Sequence, residues 1–303
     1  MRYVIIGKQQ MKKKIDWTTT LFLIVSHTIG IVGTGIYVYF NGIHPLEIVN
    51  FILFYILTGL SITAGYHRYF SHRSYDCHPF LCLFYAIFGA CAWENSILRW
   101  CSDHRMHHKH VDTDLDPYNI KKGGWYAHIG WIFHKRENLN LNNVKDLQMD
   151  PIIRWQHKYY VPIAILVGSG LPFLIGLLVD RPWGGLLWGG FFRVMFVHHA
   201  TFFINSLAHM VGAQPYTTQD SSRDSWWLAF LTYGEGYHNF HHKFQADYRN
   251  GIRWYHWDPS KWVIALCSKF KLTTRLNRTP SRIIQNARLS NPQPNIGCEL
   301  VRL

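Results

Sequence analysis

Polar and apolar positions in this chain are segregated into long blocks rather than alternating turn by turn. Lys12, Lys13 and Lys14 lead into Trp17-Thr18-Thr19-Thr20 and then a nearly uncharged run from Leu21 to Phe40. About 20 apolar residues suffice to cross the hydrocarbon of a bilayer, so a first span is expected over residues 18–40. Asn41-Gly42-Ile43-His44-Pro45 reads as a turn, and a second span follows over 46–65. Two more are expected over 159–179, with Pro162 and Pro172 inside, and over 186–204. The last carries Arg193, His198 and His199, which are costly in lipid and belong in the bundle interior. Pro79 to Trp93 is apolar but too short to cross, so it reads as an interfacial or buried helix. Residues 67–158 and 205–290 are too polar for lipid and form a helical cap, and the tail 290–303 is expected to be loose. Basic residues flank the cytosolic ends of spans, which places both termini and the cap inside the cell. The expected fold is therefore all-α: one integral membrane domain over 1–303, with four transmembrane helices and a cytosolic cap.

Composition agrees with that outline. Charged residues make up only 16% of the chain and aromatic residues another 16%, a membrane-like balance. The mean hydropathy is close to zero, too low for spans alone, so a sizeable polar portion must lie outside the lipid. Lys and Arg number 31 against 18 Asp and Glu, a net charge of +13. Basic surface of this kind suits anionic headgroups or a phosphorylated ligand, and no nucleic-acid role is expected. Cys77, Cys82, Cys91, Cys101, Cys267 and Cys298 include no CxxC pair and read as reduced thiols. The amino-terminal residues do not read as a cleavable signal peptide.

The chemistry lies in the histidines. In His104-Arg-Met-His107-His108 and in His238-Asn-Phe-His241-His242, offsets of three and four align three imidazoles on one helix face. A third cluster, His67-Arg-Tyr-Phe-Ser-His72, has its histidines five apart. A regular helix would splay them by roughly 140°, so the helix is expected to end or unwind between them. Eight clustered imidazoles exceed what one ion can use, so two metals are the natural reading. His209, just past Asn205 at the exit of the fourth span, adds a ninth candidate ligand, and Asn205 could reach the same site. Neutral imidazole suits Fe, Zn, Cu or Ni alike. Lone histidines are more often structural, and His27, His44, His78, His128, His134, His157, His198, His199 and His256 are read so. His110 falls off the helix face and is left out as well.

With Asn205-Ser-Leu-Ala-His209 and Gly234-Glu-Gly-Tyr-His238 added to these motifs, the chain resembles the membrane fatty acyl desaturases of the acyl-CoA Δ9 (stearoyl-CoA desaturase-like) family, over roughly Asp16 to Arg288. The resemblance implies two non-haem irons held by nine histidines. One would take His67, His72, His108 and His242, with Asn205 reaching it through water; the other would take His104, His107, His209, His238 and His241. It implies that O2 and two external electrons introduce a cis double bond into a fatty acyl chain, most naturally an acyl-CoA. Asn95, Trp100 and Asp103 would line the thioester end, and Lys135 and Arg136 would attract a phosphorylated carrier. Tyr55 and Gly59 would lie near the tunnel end and limit chain length. Ser102 and Phe202 stand where animal relatives carry Arg and Trp, which bears on headgroup binding and tunnel shape. Glu235, between Gly234 and Gly236, would sit in a tight turn and orient ligand histidines, while Arg223 and Asp224 would make an ion pair or a loop contact. No GxGxxG fingerprint or haem domain is read in the chain, so electrons are expected from a ferredoxin or cytochrome b5 docked on the basic cap. A hydroxylase or alkane oxygenase could share the histidine motifs. A metal transporter would be expected to bind near the bilayer midplane instead.

Overall fold

The computed structural model describes residues 14–134 and 141–291, and the chain is mostly helical. Lys135, Arg136, Cys298 and nearly all of the 290–303 tail lie outside the described residues. Among the described residues, three helices are long and apolar enough to cross a membrane: α1, Trp17–Asn41; α2, Pro45–Ser71; and α5, Pro151–Leu177. Between α2 and α5 come α3, Pro79–Ala90, and α4, Ile97–His110. After α5 the chain turns into α6, an unbroken helix over 182–205. The cap continues with α7, Trp226–Leu231, α8, His238–Lys243, α9, Pro259–Lys269, and α10, Ser281–Leu289. A two-residue antiparallel ladder pairs β1, Asp76–Cys77, with β2, Thr273–Thr274, and ties the end of the chain back to α2.

The helix starts are written locally. Pro45, Pro79, Pro151 and Pro259 each occupy the first turn, where a missing N–H costs nothing. The residue before each accepts a backbone N–H: His44 from Leu46, His78 from Phe80, Asp150 from Ile152, and Asp258 from Lys261. Outward-facing Leu21, Ile24, Val25, Ile31, Val32 and Ile36 leave α1 with an apolar exposed face, the face expected of a lipid-contacting helix.

Two boundaries differ from the sequence reading. The helix expected over 159–179 starts at Pro151 and ends at Leu177, because its first turns are polar and escape a hydropathy reading. Gln156 there donates to the Tyr66 hydroxyl at 2.7 Å and accepts from the Ile97 amide at 3.1 Å. Non-helical torsions at Tyr159 mark a kink three residues before Pro162, the disturbance expected when proline removes a helical N–H and crowds the preceding turn. The second difference lies at His67-to-His72. The helix neither ends nor unwinds there; from Ser61 to Ser71 it widens into a π-helix. The His72 amide bonds the His67 carbonyl at 3.2 Å, a five-residue step. In that winding, side chains five apart share a face, and the two rings lie 4.9 Å apart. Such segments are rare and tend to mark functional sites.

Candidate metal centre

Four elements bring nine histidines together: the π-helical end of α2, α4, the turn after α6, and α8. Their ring nitrogens fall into two groups. In the first, His67, His72, His104, His108 and His241 converge, with Nε2 atoms 3.0 Å apart for His67–His241, 2.7 Å for His72–His104 and 3.0 Å for His108–His241. In the second, His107, His209, His238 and His242 converge, at 3.3 Å for His107–His242, 3.1 Å for His209–His238 and 3.0 Å for His238–His242. This partition corrects the one the resemblance implied: His104 and His241 join the first group, and His242 joins the second. Residues four apart on a helix point most nearly the same way. His104 and His108 therefore stay together and His107 swings to the other group; His238 and His242 likewise pair and release His241. Each triad serves both groups.

Four of the opposite ring nitrogens face protein acceptors. His67 Nδ1 lies 2.9 Å from Glu235 Oε2, His107 Nδ1 2.9 Å from Asp116 Oδ1, and His209 Nδ1 2.8 Å from Ser221 Oγ. His242 Nδ1 is 3.6 Å from Asp220 Oδ2. A carboxylate neighbour fixes the proton on Nδ1 of His67 and His107, which turns their Nε2 lone pairs toward the other converging rings. Lone pairs at these distances cannot all bond one another; a cation satisfies them. Burial pushes the imidazoles of His72, His104, His108, His209, His238, His241 and His242 well below their ordinary pKa, and the neighbouring rings push the same way. Neutral imidazole is the metal-binding form. The donor set fits a pair of metal ions.

The surrounding shell is itself buried. Glu235 reaches His67 with one oxygen and Arg68 with the other, the latter at 2.8 Å, while Arg68 also reaches Asp258. Burial alone would raise the Glu235 carboxyl, but Arg68 and His67 hold it down at about 2. Gly234 precedes it at φ 99°, where an added Cβ would collide with Asp258, so the tight turn requires glycine. Asp224 accepts the amides of Asn239 and Phe240 at 2.8 and 3.0 Å and so caps the start of α8. Arg223 bonds the Gly212 carbonyl, a loop contact. Asp116, Asp220 and Ser221 carry no sequence signal beyond being polar residues near the histidine helices, and the motif reading did not find them.

A cavity of about 600 Å³ opens beside both groups, walled by His67, His104, His107 and His238 on one side and by Phe202 and Asn205 on another. Asn95, Trp100 and Asp103 also line it. Trp100 stacks on His104 at 5.0 Å and donates to Glu94, which accepts from Thr201 as well. Protein surrounds Glu94 except where it faces the cavity, and this burial raises its carboxyl to about 7 despite those two bonds. Ser102 bonds Asn143 at 2.8 Å instead of lining the cavity mouth. Gly59 reaches a smaller adjoining chamber, with Tyr55 one turn farther back against Tyr233. The five described cysteines, Cys77, Cys82, Cys91, Cys101 and Cys267, are all free thiols. His27, His128, His198 and His199, read from the sequence as isolated, pack together: His128 and His199 bond at 3.0 Å, and His27 stacks on His198. They are not among the groups close enough to share an ion.

The family model described as fatty acid desaturase matches residues 46–275, which span every histidine of both groups. The chain is 41% identical over 288 residues to a probable acyl-CoA desaturase of Schizosaccharomyces pombe, covering 94% of this chain and 59% of that protein. Against acyl-CoA desaturase 1 of Saccharomyces cerevisiae it is 42% identical over 268 residues, 86% of this chain and 52% of the relative. The chain thus spans between about half and three-fifths of these two fungal proteins. An sn-1 stearoyl-lipid 9-desaturase of Anabaena variabilis is 36% identical over 267 residues, 88% of this chain and 95% of that protein. With the match extending across its spans, its histidine motifs and the cavity between them, the chain belongs to the fatty acid desaturase family.

Proposed function

We propose that the protein is a fatty acyl desaturase that introduces a cis double bond, at Δ9, into a saturated acyl-CoA. The observation that carries this reading is the convergence of nine Nε2 atoms in two groups, two histidines of each group walling a cavity of about 600 Å³. The reaction balances as R–CH2–CH2–R′ with O2, two electrons and two protons giving R–CH=CH–R′ and two waters. His67, His72, His104, His108 and His241 would hold one iron, and His107, His209, His238 and His242 the other, with Asn205 the polar side chain available beside His209. When bound, the two irons would activate O2 as the oxidant that breaks unactivated C–H bonds.

The remaining work belongs to the protein. Glu235, Asp116, Ser221 and Asp220 hold the Nδ1 protons and keep the rings neutral and aimed. Ile62, Leu23, Phe22 and Phe202 exclude water along the cavity, which protects a strong oxidant from being wasted. Trp100, fixed between Glu94 and His104, presses the chain against the first group. Asn95, Arg99 and Asp103 on the cavity wall suit the thioester and its carrier, and Lys135 and Arg136, outside the described residues, would attract its phosphates. Electrons would arrive from an acidic donor, a ferredoxin or cytochrome b5, drawn by the +13 charge. We further propose that α6 is a fourth span and that the single domain keeps both termini and the histidines on the cytosolic side.

Expression in cells unable to make unsaturated fatty acids, followed by mass spectrometry that locates the double bond, tests the proposal. A Δ9 cis-monounsaturated product is expected. A hydroxylated product would point to the related oxygenases, and metal flux into vesicles without any lipid product would point to a transporter.

A further inference from the structure

His107 and His209 both belong to the four-histidine group, but their outer nitrogens meet different neighbours. Asp116 faces His107 Nδ1 directly, whereas His209 Nδ1 meets the Ser221 hydroxyl at 2.8 Å. A hydroxyl can accept from that nitrogen or donate to it, so the serine alone leaves the position of the His209 proton open. Asp112 decides it. Ser221 donates twice to this carboxylate, from Oγ to Oδ1 at 2.6 Å and from its amide to Oδ2 at 2.7 Å. A carboxylate has no proton to give, so the single hydroxyl proton of Ser221 goes to Asp112 and only lone pairs remain for His209. The ring proton is thereby fixed on Nδ1, and Nε2, 3.1 Å from His238 Nε2, is left as an acceptor. Asp112 is itself held in place. It lies two residues past the end of α4 at φ 62°, a left-handed conformation uncommon outside glycine. Its amide donates to Asp116 Oδ2 at 3.1 Å. One turn, residues 112–116, thus anchors two histidines that come from separate elements, α4 and the turn after α6.

We propose that Asp112 is a positioning residue that selects the metal-binding tautomer of His209 by setting the direction of the Ser221 hydroxyl. This rests on the paired-metal reading above. If the hydroxyl turns round, its proton points at Nδ1 and the ring proton moves to Nε2. The nitrogen that faces the group then has no lone pair for a cation. Asp112→Asn is the substitution that turns it. Both Ser221 groups approach as donors, and an amide accepts only at its oxygen. With that oxygen on the Ser221 N–H, the new NH2 donates to Oγ and drives the hydroxyl proton toward His209. Asp112→Gly instead removes the carboxylate, suits the backbone at φ 62°, and leaves the hydroxyl free to point either way.

The test strips the full-length protein of metal and titrates it with Co2+ alone. Wild type is expected to take up one ion per histidine group. In Asp112→Asn one of the two ions should bind about 10–100-fold more weakly, the loss typical when the partner of a ligand histidine is disturbed, while the other is unaffected. Asp112→Gly should show a smaller loss at the same ion, and it covers the case in which the asparagine variant fails to accumulate. A double-mutant cycle separates this role from a merely structural one. With Ser221→Ala there is no hydroxyl to turn, so adding Asp112→Asn should weaken Co2+ no further. Nitrogen NMR of 15N-histidine-labelled, metal-free protein reads the tautomer directly: the imidazole whose signals vanish in His209→Gln should pass from the Nδ1–H to the Nε2–H form in Asp112→Asn. A His209 tautomer that stays put, Co2+ uptake unchanged in the Asp112 variants, or losses that add in the double variant overturn the assignment. A wild-type protein that takes up no Co2+ overturns the paired-metal reading instead.

Discussion

Glu235 is the residue on which the first histidine group and the core both depend. It faces His67 and Arg68, and Asn250 donates to its second oxygen at 2.6 Å. Glu235→Gln keeps the shape but withdraws the charge that fixes the His67 proton. Loss of such a partner typically costs 10–100-fold in metal affinity or activity, so bound iron measured by elemental analysis should fall along with product. His107→Ala and His241→Ala should separate the two groups: the first empties the four-histidine set, the second the five-histidine set, and iron per chain should drop in both. Glu94 gives a different test. Its folded pKa of about 7 stands above its ordinary 4.5, so between those values the folded protein binds more protons than the unfolded chain. Stability therefore falls as pH rises through that window and levels off above it. Glu94→Gln should remove this loss, and its thermal midpoint relative to wild type should climb across the window and then stay flat. Candidate ligands such as His104 and His238 were legible from spacing because metals demand convergent side chains. Their partners were not. Asp116 and Ser221 approach from loops, and loop polarity marks most surface residues equally.

At the scale of elements, the histidines are placed by two helices with unusual ends. α8 is short, carries three of the nine imidazoles, and begins on the Asp224 carboxylate. Removing such a cap costs about 0.5–2 kcal/mol. Asp224→Ala should therefore lower the thermal midpoint and loosen iron in both groups together, because His241 and His238 belong to different ones. Asp224→Asn keeps an acceptor and should retain most of both; equal loss in the two variants would show that the charge, rather than the cap, matters. The π-helical end of α2 shows why pattern reading succeeded on residues and failed on winding. Five-residue spacing between His67 and His72 correctly signalled that a regular α-helix would not serve, but a widened helix and a broken one leave the same trace in sequence. The turn ending at Pro45 was legible as the start of a helix, whereas the equally local proline and cap pairs at Pro151 and Pro259 were not. The start of α5 was lost because Gln156 and His157 are polar yet face inward, Gln156 bonding Tyr66 and Ile97 and His157 bonding Ser96.

Across the whole molecule, membrane-spanning helices and cap share one interior, and nine imidazoles lie at their junction. Hydropathy located α1 and α2 closely because lipid contact demands unbroken apolar faces. How the cap folds onto them rests on long-range pairs such as Arg68 with Asp258, which no local pattern encodes. The metal-free protein should consequently be fragile in acid. Seven of the imidazoles are held well below their ordinary value of 6.5 by burial and by one another. Below that value the unfolded chain takes up protons that the folded protein refuses. Stability then falls as pH drops, by up to roughly 1.4 kcal/mol per pH unit for each group fully excluded from protonation. Bound metal would add stability by mass action at pH 7, but protons compete for the same ring nitrogens, so it too would be released in acid. Chelation should lower the thermal midpoint at neutral pH, and the gap between loaded and stripped protein should close as the pH falls from about 7.5 to about 5.5. Replacing one ligand, as in His238→Ala, should flatten the acid slope of the stripped protein while destabilising the loaded one. A stripped protein whose midpoint is insensitive to acid would mean that these rings are hydrated and already protonated, a state in which they could not hold metal.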